Sequence, residues 1–360
     1  MGEVVTKKVL IIGGTGSIGH RVAEDIQAQT QANVTVAGLQ SSYNQDFPFL
    51  PFDLNNFDQL KPLISNFDLV VHCAGPFHHR DGRVLKTCIE AGINYIDVSD
   101  HRSFYFQATE YHQAAQQAGV TAILHTGVFP GISNLMAKKG VEALDQVESI
   151  HLNYLVAGSG GAGLTVMQTT FLGLQSPFSA WINGKWQEII PYSEPETVQF
   201  EQYGEAEVYW FDVAETYTLT QSFPVNTVVT KFASLPSFYN DLTSLVAHRV
   251  PHSVLKNPLV REGLSWLSLG MARVTDRVSG VGIAVAVDVT GWQGGQKQRY
   301  RLNFSHHHTA IAAGMGAGSV AQLLLNQEMI QPGVWSIEQA VTTPQFEAMM
   351  KQRGLKINLI

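Results

Sequence analysis

The glycines of Gly14-x-Gly16-x-x-Gly19, within Lys7 to His20 (KKVLIIGGTGSIGH), are spaced for one kind of chemistry, the holding of a pyrophosphate. Gly14 permits a tight turn and Gly16 admits a phosphate against bare backbone. Gly19 lets the next helix pack closely on its strand. Thr15, Ser17 and Ile18 complete the loop, with amides aimed at the anion from a helix N-terminus. The apolar run Val9 to Ile12 precedes the loop, and a helical pattern (Ile18, Val22, Ile26) follows it. A strand before and a helix after give the glycines their mechanical meaning, so a dinucleotide site is expected.

Other positions bear on that cofactor. An acidic residue at the end of the second strand would bind a ribose 2′-hydroxyl and favour NAD. Gly38 stands there, so the chain leans to NADP. No Arg follows; Leu39 and Gln40 come next, then the hydroxyls of Ser41 and Ser42, and NAD stays open. Asp53, at a strand end, could accept from an adenine amino group or cap a helix near Asn55. Gly75, Pro76 and Phe77 end the fourth strand with small residues that let backbone pass close to a ribose.

Hydride transfer also needs a group to handle a proton, placed beyond the C-terminal ends of parallel strands. Ser99-Asp100-His101-Arg102 offers acid, base and cation in one loop. A His beside a carboxylate would have a raised pKa, whereas the competing reading makes Asp100 the cap of a helix from Ser103. His125 ends the sixth strand, as a reactive ring or as a core histidine. Glu215, in VAETYTL, is the carboxylate to watch in the second half, against a plain surface-strand Glu. Arg80, Arg83 and Arg102 are candidates for substrate carboxylates. His306-His307-His308 lacks companions at metal-ligand spacing, so no metal is expected. Gly314, Gly316 and Gly318 imitate a phosphate loop, but inside a helical pattern they read as close helix packing.

The elements that must position these residues alternate strand and helix through the first part. Strand patterns run over 8–13, 33–38, 50–53, 68–74, 94–98 and 121–125, with helical patterns at 17–29, 83–91 and 104–118. That rhythm predicts an α/β fold with a Rossmann-type parallel sheet over 1–148. Strand-like stretches then dominate 149–306: 150–157, 180–190, 208–219, 227–233, 282–291 and 299–305. The alternation in GIAVAVDVTG suits a half-buried antiparallel strand. A helical section over 238–271, broken by Pro251 and Pro258, interrupts them, and its apolar residues suit a core, a dimer contact or a greasy surface. This middle part reads as an inserted mixed α/β domain for substrate or dimerisation. Residues 307–360 are expected to return as helices to the first domain.

With 45% hydrophobic and 15% charged residues, the 360-residue chain is an ordinary soluble composition with a large core. A net charge of −7 and no basic stripe argue against nucleic acid as a partner. Cys73 and Cys88 read as reduced core residues. The opening MGEVVTKK lacks a signal peptide's apolar core, so a cytoplasmic location is expected, with a homodimer and a small-molecule substrate.

Several segments together resemble the saccharopine dehydrogenase-like oxidoreductases: IIGGTGSIG, VVHCAGPF, VLKTCIEAGINYIDVSD, GVFPGISNLMA, GVGIAVAVDVTG and PGVWSIEQ. The resemblance implies an NAD(P)-dependent oxidoreductase acting on an amino-acid-derived imine or secondary amine. It also implies cofactor contacts at the Gly14–Gly19 loop, at Gly75 to Phe77, and at the Phe129-Pro130-Gly131 turn through Phe129 and Gly131. Two alternatives stand beside it: a non-catalytic or membrane-peripheral Rossmann scaffold, and a reductase of an apolar C=C substrate.

Overall fold

The structure is a computed structural model describing residues 6–39, 46–161 and 163–359. The chain forms two compact units: Met1–Ile132 with Ala310–Thr342, and Ser133–Thr309 with Thr343–Ile360. The division falls at 132/133 rather than 148. The C-terminal part is shared between the units instead of returning whole to the first.

In chain order the first stretch runs β1 (Lys8–Ile12), α1 (Ser17–Gln29), β2 (Asn33–Gly38), β3 (Phe49–Pro51), α2 (Leu60–Ile64), β4 (Leu69–His72), α3 (Arg83–Ala91), β5 (Asn94–Asp97), α4 (Arg102–Thr109), α5 (His112–Ala118) and β6 (Thr121–Leu124). The middle runs α6 (Ile132–Glu142), β7 (Gln146–Ala157), α7 (Leu164–Gly173), β8 (Phe178–Ile182), β9 (Lys185–Ile189), β10 (Glu196–Phe200), β11 (Gly204–Trp210), α8 (Glu215–Ser222), β12 (Thr227–Leu235), α9 (Phe238–Arg249), α10 (His252–Leu255), α11 (Pro258–Ser279), β13 (Gly282–Gln293) and β14 (Gln296–His306). The chain then gives α12 (Thr309–Leu325), β15 (Gly333–Ser336), α13 (Ile337–Ala340), α14 (Thr343–Gln352) and β16 (Ile357–Leu359).

The first unit holds a seven-stranded sheet in the order β15-β6-β5-β4-β1-β2-β3, parallel at every pairing. β1 lies inside the sheet, which is why Val9 to Ile12 are apolar on both faces and buried. α12 packs on α1 through glycine. A Cβ on Gly314 would meet the Arg21 backbone at 2.7 Å, and one on Gly318 would meet Asp25 Oδ2 at 2.0 Å. The late glycines therefore serve helix packing, as their helical pattern implied.

The second unit holds a sheet ordered β10-β11-β12-β7-β13-β14-β16, with β8 pairing β12 and β9 pairing β8. It is mixed: β12 and β7 are parallel, and the other described pairings are antiparallel. β13 departs from the half-buried expectation, since Gly282 to Val289 are buried throughout. It sits between β7 and β14, with Ala284 and Ala286 packed against Phe200 and Val208. Small residues are what allow a second layer to lie over that face. The strand expected over 180–190 is a hairpin, β8 and β9, turning at Asn183 and Gly184, both at positive φ. The strand expected over 208–219 ends at Trp210, and α8 follows from Glu215. Among the described residues no helix is long and apolar enough to cross a membrane.

Candidate functional site

The glycine loop of the first unit is built as the spacing requires. Gly14 and Gly19 are buried, whereas Gly16 and Ser17 are exposed. A Cβ on Gly19 would lie 2.3 Å from the Gly13 carbonyl, and one on Gly14 would lie 2.6 Å from Val36 Cβ. Both positions exclude a side chain for packing. Gly16 differs: an added Cβ would meet only the Gly13 carbonyl, at 3.2 Å, and otherwise point into open space. Gly16 is also the N-cap of α1, with no side-chain cap and no acidic residue in the first turn. The start of α1 thus presents amides and a partial positive charge to an exposed, side-chain-free surface, a good fit for a pyrophosphate.

At the end of β2, a Cβ on Gly38 would meet Thr15 Oγ1 at 2.6 Å. Thr15 fills the space a ribose-binding carboxylate would need, a physical reason for glycine there. Ser41 lies outside the described residues. Asp53 Oδ1 accepts from the Asn55 amide at 2.9 Å and from Asn55 Nδ2 at 3.0 Å, a local turn ahead of the short helix that starts at Phe57, whose N-cap is Asn56 rather than Asp53. Phe77 is buried and turns its ring into the core, 4.9 Å from His72 and 5.0 Å from Phe104. Pro76 and Gly75 precede it in the turn, and Arg80 braces them: its Nε donates to the Ala74 carbonyl at 2.7 Å and its Nη2 to Gly75 at 3.3 Å. That corrects the substrate-carboxylate expectation for Arg80, whose guanidinium already supports the loop. Arg83 is likewise engaged, paired with Asp81 and lying 3.7 Å over the Phe57 ring. Arg102 and Asp100 are half-buried beside His101.

His101, not Asp100, caps α4: its Nδ1 accepts from the Ser103 amide at 3.2 Å. The other ring nitrogen lies 3.0 Å from His78 Nδ1. With Nδ1 accepting, Nε2 carries the proton and donates to His78. Burial, then the charges of His78, Arg102 and His79, push the His101 pKa down to about 3. The expectation of a raised pKa is therefore reversed, and both ring nitrogens are used.

His125 is placed differently. It is fully buried at the end of β6, with φ of 63°, a backbone shape uncommon for a non-glycine residue. Its Nδ1 lies 2.8 Å from the Ser99 carbonyl, which can only accept, so Nδ1 carries the proton. Its amide donates to Asp97 Oδ1 at 3.0 Å. The same Asp97 oxygen accepts from the Ser99 amide at 3.0 Å and from Ser99 Oγ at 2.6 Å. Burial pushes the Asp97 carboxyl up, opposed by His125 and by these hydrogen bonds. That leaves His125 Nε2 as a buried lone pair with no hydrogen-bond partner. Asp97 is missing from the sequence expectations, and Ser99 enters them only as the first residue of the Ser99–Arg102 loop; the Asp-x-Ser at the β5 end is the signal that links the two.

Glu215 belongs to the second unit. It is not a surface-strand residue but lies fully buried in the first turn of α8. Oε1 accepts from Tyr154 at 2.5 Å and from Ser133 at 3.0 Å, and Asn134 donates to Thr218 at 3.1 Å beside it. Burial and then the Glu215 charge hold the Tyr154 hydroxyl well above its ordinary pKa. Phe129 is half-buried. The Gly131 backbone, at φ 137°, crosses so close to Gly127 that an added Cβ would lie 2.0 Å from its carbonyl. His306 Nδ1 accepts from the His308 amide at 3.0 Å. Among the described residues no group of His, Cys, Asp and Glu could hold a metal ion. Burial pushes both the Cys73 and Cys88 thiols up.

Residues 9–123 match the family described as the saccharopine dehydrogenase NADP binding domain. The match to that NADP-binding domain family lies wholly within the first unit. The match bears out the lean to NADP, and the expected class, an oxidoreductase, is that of the matched family. Over 328 residues the chain is 22% identical to a carboxynorspermidine synthase of Vibrio cholerae, covering 82% of this chain and 78% of that one. The carboxynorspermidine synthase of Vibrio alginolyticus is 23% identical over 190 residues, 48% of this chain and 45% of its own length, so under half of that relative is spanned. Among solved structures, saccharopine dehydrogenase (L-Glu forming) of Saccharomyces cerevisiae superposes with a TM-score of 0.70 at 15% identity, covering 98% of this chain and all of that one. That likeness confirms the α/β fold.

Proposed function

We propose that the chain is an NADP-dependent oxidoreductase acting on a carbon–nitrogen bond of a small, amino-acid-derived imine or secondary amine. The observation that carries this reading is the uncapped α1 N-terminus behind an open Gly16, within a domain of an NADP-binding family. The names of the Vibrio relatives, built on a carboxyl-bearing amine, support the substrate class.

Gly14 to Gly19 would hold the pyrophosphate, with the backbone of Gly75, Pro76 and Gly131 as further walls. When bound, the cofactor supplies or accepts the hydride. The protein's share is to orient the partners and to move a proton at the reacting nitrogen. We assign that proton to His125 Nε2, directly or through one water, because that nitrogen is unengaged and His125 lies beyond the C-terminal end of β6, whereas His72, whose Nε2 is likewise unengaged, lies within β4. Ser99 fixes its tautomer, and Asp97 holds Ser99 and the His125 backbone. His101 then serves as a helix cap, and Glu215 as a framework residue of its own unit. A small-molecule ligand and a cytoplasmic setting accord with this reading.

The test is NADPH-linked turnover with pairs of amine and oxo acid, read by loss of nicotinamide absorbance. His125→Asn keeps a residue tolerant of positive φ but removes the basic nitrogen. Turnover should fall about a hundredfold or more, with melting and NADPH affinity little changed. Undiminished turnover would remove His125 from the mechanism.

A further inference from the structure

The second unit carries an apolar stripe that its own fold does not cover. α11 buries Ser265, Leu269 and Ala272. On its opposite side Leu259, Trp266, Leu267, Val274 and Val278 are between 55% and 85% exposed. Two glycines lie among them, Gly263 and Gly270, and a Cβ on either would meet nothing within 4 Å. Gly263 and Gly270 are one heptad apart, as are Leu267 and Val274, so notches and knobs recur along one face at the same interval.

We propose that this stripe pairs with the same helix of a second copy of the chain, antiparallel about a two-fold axis midway between Ser268 and Leu269. In that register Leu267 of each copy falls on Gly270 of the other, Val274 on Gly263, and Leu259 on Val278. Every large side chain on the glycine rows thus meets a notch. The charges follow the same symmetry. Exposed Glu262 lies towards the N-terminal end, and exposed Arg273 and Arg277 towards the C-terminal end, on one flank of the stripe. An antiparallel partner brings Glu262 between Arg273 and Arg277 of the other copy, twice per dimer, whereas a parallel two-fold partner would put the two charged flanks on opposite sides of the interface, where Glu262 meets neither arginine. A lipid surface would use the apolar residues but neither the open notches nor the acid.

Sedimentation velocity of the full chain over a dilution series tests this. The wild type should be a dimer. Leu267→Glu should raise its dissociation constant roughly tenfold or more while leaving the circular dichroism unchanged, since the buried face of α11 is untouched. Glu262→Arg should weaken the dimer, and adding Arg273→Glu and Arg277→Glu to the same chain should restore it. A monomeric wild type would overturn the proposal, as would a dimer indifferent to Leu267→Glu, or a charge reversal without rescue. Flotation of the wild type with phosphatidylcholine–phosphatidylglycerol vesicles, abolished by Leu267→Glu, would assign the stripe to a membrane instead.

Discussion

Asp97 and Glu215 are both enclosed carboxylates hydrogen-bonded to hydroxyls, one in each unit, and their surroundings differ in an instructive way. Asp97 ends a parallel strand, and its partners lead through Ser99 to a histidine nitrogen with nothing to bond. Glu215 sits inside a helix turn, and its partners Tyr154 and Ser133 belong to β7 and α6, so the carboxylate ties three elements of one unit together. A buried polar group without a partner costs about 1–3 kcal/mol. A fold retains such a cost most readily where a reacting group is to be met, and the place of His125 beyond the C-terminal end of β6 is what puts the proposed chemistry there, while Glu215 joins three elements of its own unit.

That contrast breaks most visibly at the second carboxylate. Glu215→Ala leaves the Tyr154 and Ser133 hydroxyls buried without their acceptor and should cost about 2–4 kcal/mol of stability, read by chemical denaturation. The NADPH affinity of the folded fraction should hold. A variant as stable as the wild type but without turnover would reverse the two roles.

A smaller effect sharpens the distinction between the histidines. Burial and then the Arg80 charge push the His72 pKa down to about 3, and burial and nearby cations do the same at His101. An unfolded imidazole titrates near 6.5, so between about pH 6.5 and 3 the unfolded chain binds more protons and stability rises with pH. The contribution of each ring is complete above that window and is lost as pH falls through it. His101→Asn keeps a capping side chain on α4 but cannot titrate. Its melting temperature should therefore fall less steeply than the wild type's from pH 6.5 towards pH 4. An equally steep fall would mean that His101 is protonated in the folded state.

The first unit was largely legible because period and glycine spacing act locally. β1, the loop and α1 lie where Val9 to Ile12 and Gly14 to Gly19 put them, and α1 spans Ser17–Gln29 as expected. The second unit hid more because packing overrode propensity. Thr216, Tyr217 and Thr218 favour a strand, yet burial of α8 makes them helical. Alternation in β13 implied one wet face, but Ala284 and Ala286 are small so that a second layer can cover them. Leu164 to Gly173, rich in Thr, passed unread as a helix. At the candidate site, His101 and His125 look equivalent in sequence. What separates them is which ring nitrogens are engaged, and partners distant along the chain decide that: His78 for one and Ser99 for the other.

The central claim, that the open glycine at the head of α1 holds the phosphates of NADP, is tested most directly by calorimetric titration of NADPH into the wild type and Gly16→Asp. An Asp side chain there would place a carboxylate where the phosphates must lie, in a space that otherwise meets only the Gly13 carbonyl. The account predicts saturable binding to the wild type and a loss of about a hundredfold or more in affinity on substitution, with the melting temperature preserved. No binding of NADPH to the folded wild type, or equal binding to Gly16→Asp, would contradict it.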